Sequence, residues 1–446
     1  MGNGRGSGQE PQTTSTPATT DSSQQSEYSG PSILSRGAGS IFRAPTQPIK
    51  FQPFLSVGVS YDAGLTAVTV LPDGTVPSRN SVGAYASFGV TGYQKWRRAS
   101  LSSAYSASYS HYNSQSYFNS GQQNLAFVYS RQLSRHSTFS FRESAGLFSR
   151  GFYNYGYDGS GSLDPNFANT PRTDIFDGQT YFLSTAGDLT IQKSSRLSFN
   201  TGVQNSVVRR RSSALFGATI IGARGDVAYR LTRNTTTGFQ YNYSRFFFTK
   251  AFGGTDVHSV GLVHSMRLGR RWEISGNFGV SFVETQGLRR VNIDPVIAAL
   301  LGQSYGIEAI YRRNLTPAIG ARLSRGFRHA HLDFDYHDGV SSGNGVYLTS
   351  RFQSAGVNYS YSGFGKWTIS SHGHYNSYSS LAQTIGKFNS FTGGISTGRQ
   401  LVRHVSWNVG ADAHRFDVGN SQFGRTYWRI NSGLSFSPSE IPLAIW

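Results

Sequence analysis

Apolar residues alternating with small polar ones, a basic turn signature returning about every two strands, and few charges or helix formers together predict an all-β fold. They fit an antiparallel up-and-down transmembrane β-barrel of about 18 strands, with 16 as the nearest alternative. Of 446 residues, 37% are hydrophobic, 14% aromatic and 14% charged, with 52 Gly and 2 Met. Such a mixture suits a pleated surface better than a helix bundle. No stretch approaches ~18 uninterrupted apolar residues, which excludes transmembrane helices, and the mean hydropathy is negative. A barrel escapes that measure because only every second residue faces lipid.

There is no Cys, which removes disulfides, thiolate metal sites and Cys nucleophiles together. Lys and Arg number 41 against 23 Asp and Glu, a formal charge of +18. Nucleic acid, anionic lipid or an anion-selective pore would each account for that excess. Residues 1–48 are rich in Ser, Thr, Gln, Gly and Pro and read as disordered, too poor in apolar surface to fold. No apolar h-region follows Met1, so the sequence as it begins shows no secretory signal.

From Phe51 to the end, residues 49–446 being read as the barrel, the texture is dyad. Trp272, Ile274, Phe278, Val280 and Phe282 alternate with Glu273, Ser275, Asn277, Gly279 and Ser281. Leu197, Phe199, Val203 and Val207 do the same, as do Trp407 and Val409, and finally Trp428, Ile430, Leu434 and Phe436. One face is greasy and the other small and polar. Alternation also suits a soluble sandwich, so the turns must decide.

A basic signature marks one end of the strand pairs: Arg131 to His136, Arg230 to Asn234, Arg267 to Arg271, and Arg399 to His404. Looser versions end at Arg98, Arg196, His329 and Lys366. Their spacing is about 37 residues, two strands plus two connections. Longer Gly, Asn, Asp and Ser segments lie between them, at 63–81, 113–121, 150–179, 286–302, 339–345 and 379–388. Short turns on one side and long loops on the other are the asymmetry of a membrane barrel. The hairpins count to eighteen strands if 303–326 is one long strand with a bulge at Pro317.

Over roughly residues 51–446 the chain resembles the Gram-negative outer-membrane β-barrel superfamily. Asn431-Ser-Gly433-Leu434-Ser-Phe436 looks like the polar-x-Gly-x-x-apolar part of its terminal assembly signal, and the chain finishes on Trp446. The resemblance implies an outer-membrane location, contact with lipid and lipopolysaccharide, and recognition by the barrel-assembly machinery. Pro438 and Pro442 depart from it, because Pro breaks a ladder. The last full strand is therefore placed at 424–436, with 437–446 as a tail.

Arg142, Arg224, Asp226, Arg230, Glu273, Glu308, Arg312, Arg322, Asp333, Asp335 and Arg429 fall on polar faces and are expected to line the lumen. Interior arginines set the sign of the local potential and favour anions. The blander reading is that they neutralise the interior acids, among which Asp412 also counts. His329, His331, Asp333, Asp335 and His337 share a strand face with His372 and His374 nearby. They are expected to be a wetted wall and not a metal site, since i, i+2 neighbours are near 7 Å apart.

Gly339-Val-Ser341-Ser-Gly343 has the letters of a nucleophile elbow, yet Asn344-Gly345 and another strand follow, so it reads as a hairpin loop. Asp294-Pro295 opens a short loop helix. The aromatics share the apolar parity and the arginines mostly do not, which argues against nucleic acid. No catalytic set, metal site or cofactor is expected. The sequence thus leads to a porin-like channel for small hydrophilic, preferentially anionic, solutes. Its rival is a non-conducting surface barrel whose loops bind a partner or polysaccharide. Oligomeric state is not readable.

Overall fold

In a computed structural model, the structure describes residues 49–66, 78–113, 119–149, 179–211, 215–269, 271–292, 305–343, 345, 347–381, 386–418, 424–438 and 441–443. The strands are β1 (Ile49–Thr66), β2 (Ser78–Lys95), β3 (Ala99–Tyr112), β4 (Ser120–Gln132), β5 (Ser137–Ser149) and β6 (Gln179–Gln192). Next come β7 (Leu197–Arg210), β8 (Ala218–Arg230), β9 (Thr235–Phe248), β10 (Gly254–Leu268), β11 (Trp272–Asn292) and β12 (Tyr305–Gly326). Then follow β13 (Ala330–Ser341), β14 (Ser350–Phe364), β15 (Trp367–Ser380), β16 (Phe388–Val402), β17 (Val405–Val418), β18 (Arg425–Phe436) and the short β19 (Ile441–Leu443).

Each long strand pairs antiparallel with its sequence neighbours, and β1 pairs with β18 from Leu55↔Phe436 to Ala63↔Trp428. The sheet therefore closes on itself as an eighteen-strand barrel. Following the register once around displaces the start by about 22 residues along β1, the shear of the barrel. With strands ~4.8 Å apart, that shear gives a tilt of ~40° and a backbone radius of ~18 Å.

The faces are inverted relative to a soluble protein. Phe278, Val280 and Phe282 of β11 are 55%, 41% and 53% exposed, while Ser275, Asn277 and Ser281, of the opposite parity, are buried inside. Phe239, Val203, Leu315 and Ile395 likewise point away from the wall. With apolar residues outside and polar ones inside, the wall is built for lipid, and the fold is that of the outer-membrane barrels.

The turn signature has a physical cause. Leu133, Lys193 and Leu231 donate their amides to the carbonyls of Ser137, Leu197 and Thr235. In each turn the next residue, Ser134, Ser194 or Thr232, accepts the amide two positions on with its hydroxyl oxygen, at 3.1–3.2 Å. That fixes a tight turn and leaves Arg135, Arg196 and Arg233 in solvent.

Three expectations change. The tail is not wholly irregular: Ile441–Leu443 pairs with Phe51–Ile49, because β1 outruns β18 and offers free ladder groups. A strand laddered on one side only tolerates Pro442. There is no bulge at Pro317, which stands in register opposite Val280. The ladder to β13 begins at Ile319↔Asp338, so Pro317 occupies an edge where a missing N–H costs nothing. And 286–292 is not loop but the continuation of β11, paired with 305–311 of β12. Residues 1–48, the helix expected at 294–301 and Trp446 lie outside the described residues.

Candidate functional site

Parity and register put Arg142, Arg224, Asp226, Glu273, Arg322, Asp333, Asp335 and Arg429 on the inner face. They are not scattered. On the β5–β8 side, Arg142 and Arg224 both reach Asp188, at 2.7 and 2.5 Å, and Asn200 donates to Asp226 at 3.1 Å. Arg230 shares this face, but its guanidinium bends down onto the carbonyls of Thr232 and Arg233 and caps the turn.

On the opposite side, from β12 round to β1, Arg322 meets Asp333 at 3.1 Å, and His331 meets the same carboxylate at 2.7 Å. Asp62 is fully buried on the inner face at the closing seam. It accepts from Ser60 and Tyr112 at 2.8 Å each, and from Tyr427, with Arg429 3.7 Å away. Arg142, Arg210 and Arg224 outnumber Asp188 and Asp226 on the first side. On the second, Asp62, Asp333, Asp335 and Asp412 outnumber Arg322 and Arg429. The inner wall is thus polarised across its width but close to balanced in sum.

Register adds a longer pattern. One row of cross-strand partners runs Asp62, Arg429, Asp412, Gly394, His372, Asn358, Asp333, Ser324, Glu273. Asp62 lies near the loop-side end of its strand, and Glu273 one residue from the turn-side end of β11. Because the strands tilt, this row descends as a spiral of ionisable and amide groups from one rim to the other. Arg267 closes it at the turn side, 3.6 Å from Glu273. Among the described residues no three His, Asp or Glu converge as a metal site.

Glu308 and Arg312 are placed differently. Beyond Thr285 and before Ile319, β11 and β12 pair only with each other. Glu308 is therefore carried on a two-stranded ribbon that outruns its neighbours, Arg312 stands at its base opposite Thr285, and both are exposed.

The loop-side mouth is bridged. Gly343 and Gly345 hold φ of 74° and 99°, a left-handed conformation that turns the chain after β13 inward. Gly345 accepts from the amide of Phe216 beyond β7, and Thr349 meets Thr255 of β10 at 2.5 Å, hydroxyl to hydroxyl. Tyr347, 1% exposed, packs with Phe352, Tyr378, Phe388 and Phe416 on the inner face and donates to the carbonyl of Gly386 at 2.5 Å. Val340 and Leu381 pack against Phe246, Val257 and Val283 of β9–β11. Residues 339–343, 345 and 347–349 thus tie β13 and β14 to the wall across the lumen.

At the seam, Gly433 faces Gly58, and a side chain on either would run into the ring of Tyr85. Gly433 leaves room for that ring, while Asn431 and Gly433 face inward and Phe436 outward. Sequence reading missed Asp62, Asp188, Tyr112, Tyr347 and Tyr427. Their parity was visible, but only register shows Asp188 between two arginines or a tyrosine from β3 on a carboxylate of β1.

These features define a membrane-spanning barrel of the outer-membrane type with a polar, partly bridged interior. No family model and no curated protein matches the chain. Among solved structures it is similar to OccK2 (OpdF) of Pseudomonas aeruginosa in complex with glucuronate, at 11% identity and a TM-score of 0.44, over 88% of this chain and 100% of that one. It is also similar to a BenF-like porin from Pseudomonas fluorescens Pf-5, at 12% identity and 0.42, over 87% and 99%. The ferric-catecholate import receptor Fiu of E. coli, a barrel of different purpose, stands at 7% and 0.42, over 85% and 81%. Similarity at this level assigns neither a family nor a solute.

Proposed function

We propose that the protein is an outer-membrane porin-like channel through which small hydrophilic solutes diffuse passively, with a weak preference for anions. The observation that carries this is the closed wall itself, apolar outside and lined inside by ionisable groups, one row of which runs from rim to rim. Arg142, Arg224, Arg322, Asp333, Asp335 and Arg429 are the lumen-lining residues in this reading, and the bridge over residues 339–349 keeps the solutes small.

Because the wall charges nearly balance, the anion preference is assigned to the turn-side mouth. Arg135, Arg196, Arg233, Arg271 and Arg403 stand exposed there, and the described turns hold no acid. Charges at a mouth act within a Debye length, ~10 Å at 0.1 M salt. Planar-bilayer recording in a salt gradient tests both parts. Channel steps with an anion-side reversal potential are expected, and folded protein giving no steps sinks the channel. Replacing Arg135, Arg196, Arg233 and Arg271 by Gln should move the reversal potential toward zero; an unchanged value overturns the role given to the mouth.

The ribbon of β11 and β12 favours a second reading, a surface barrel that binds a partner or polysaccharide. Tyr311, on the stretch where β11 and β12 pair only with each other, is 77% exposed. Deleting residues 286–311 would then abolish binding and leave permeability unchanged.

A further inference from the structure

Outward strand parity falls on five acids among the described residues, Glu143, Asp256, Glu284, Asp338 and Asp417. Asp338 is nevertheless only 2% exposed, covered where β13 leaves β12 and paired with Arg351 at 2.5 Å. Three of the others lie toward the loop-side rim, each within reach of an arginine, at 3.8 Å for Arg245–Asp256, 2.8 Å for Arg313–Glu284 and 3.5 Å for Arg415–Asp417. Those are the positions and partners expected of acids at headgroup level.

Glu143 is different. It is the middle residue of β5, and at ~3.3 Å per residue and ~40° tilt it lies ~15 Å from either end of the strand. That is the midplane of a hydrocarbon layer ~25–30 Å thick. Its neighbours Arg142 and Ser144 turn inward, so Glu143 must turn out. In the same register row stand Thr185 of β6 and Asn205 of β7, also facing out. Leu183 and Val203 beside them confirm the face, being 45% and 64% exposed. No described residue hydrogen-bonds or ion-pairs with the side chains of Glu143, Thr185 or Asn205.

Lipid tails supply neither donors nor acceptors, so polar groups at this depth are rare and seek protein partners. Small residues stand among the larger ones around the row: Ala145, Gly187, Ala223 and Gly225 face outward beside Leu183, Val203 and Ile221, and a side chain added at Gly225 would meet nothing within 4 Å. Small residues let a second wall approach closely.

We propose that the Glu143–Thr185–Asn205 row is the contact between two copies of this chain in the membrane. The row complements itself. An acceptor-only carboxylate stands at one end, an amide with two donors at the other, and a hydroxyl that does both lies between. Turned about a two-fold axis along the membrane normal beside Thr185, it brings the carboxylate of each copy over the column of the other's amide. The slope of the row leaves them ~6 Å apart in height, a gap the two side chains reach across.

The chain has no Cys, so Thr185→Cys and Ala145→Cys each create a single thiol at the contact, and Ile395→Cys one on the far side of the belt. Full-length variants in outer-membrane vesicles, treated with a short bis-maleimide, are read by mass on denaturing gels. A homodimer band is expected from Thr185→Cys and Ala145→Cys and none above background from Ile395→Cys. Adding Glu143→Leu to Ala145→Cys should lower the dimer fraction about tenfold with the barrel's resistance to SDS retained. Cross-linking equal to Ile395→Cys, a band containing a different protein, or indifference to Glu143→Leu would each overturn the proposal.

Discussion

Replacing Tyr347 by alanine should unseat the bridge across the loop-side mouth. The side chain is 1% exposed, lies among four inner-face aromatics and donates to Gly386. A buried aromatic removes ~200 Å² from water, worth ~5 kcal/mol at ~25 cal/mol per Å². Relaxation of the loop reduces that, so a loss of ~3 kcal/mol is the working figure. At 1.4 kcal/mol per decade, the ratio of seated to unseated loop falls by a factor of ~100. Tyr347→Phe removes only the hydrogen bond, ~1 kcal/mol, a factor of ~5. In planar bilayers Tyr347→Ala should show larger and noisier unitary conductance, and liposomes carrying it should admit larger neutral solutes. Tyr347→Phe should lie between. Identical conductance and size cut-off in all three proteins would refute the idea that residues 339–349 limit the pore.

Two further outcomes follow from the wall. Asp188→Asn takes from Arg142 and Arg224, whose side chains are 32% and 18% exposed, the carboxylate they share. Partial access to water limits the cost to ~2 kcal/mol, read as a lower urea midpoint, and the added positive charge should move the reversal potential further to the anion side. A midpoint equal to that of the parent protein would show the ion triad to be energetically idle. Gly433→Val drives a side chain into the Tyr85 ring at the seam, an overpacking cost of ~1–3 kcal/mol. Refolding into vesicles, followed by the mobility shift of the closed barrel, should slow and lose yield; normal refolding would remove Gly433 from the closure step.

The barrel was legible because its evidence is local. A side-chain period of two sorts Phe278 from Asn277 with no tertiary information, and Ser134, Ser194 and Thr232 close their own turns within a few residues. Pro317 misled because proline is forbidden in a ladder only on the side that is laddered, and chain order does not say where β13 begins. Glu308 and Arg312 carry inner-face parity, yet parity cannot tell a wall from a ribbon that outruns it.

Glu143 marks the boundary most clearly. Its outward parity is in the sequence, but its depth, its row with Thr185 and Asn205 and its lack of a partner exist only once the strands are in register. The sequence by itself determined strand number, hairpin order and which face of each strand meets lipid, since these depend on residues a few positions apart. Tertiary structure alone decided which charges pair, where the ionisable row runs and that residues 339–349 lean across the lumen. Those outcomes rest on shear and closure, which bring β1 to β18 and set Tyr112 on Asp62.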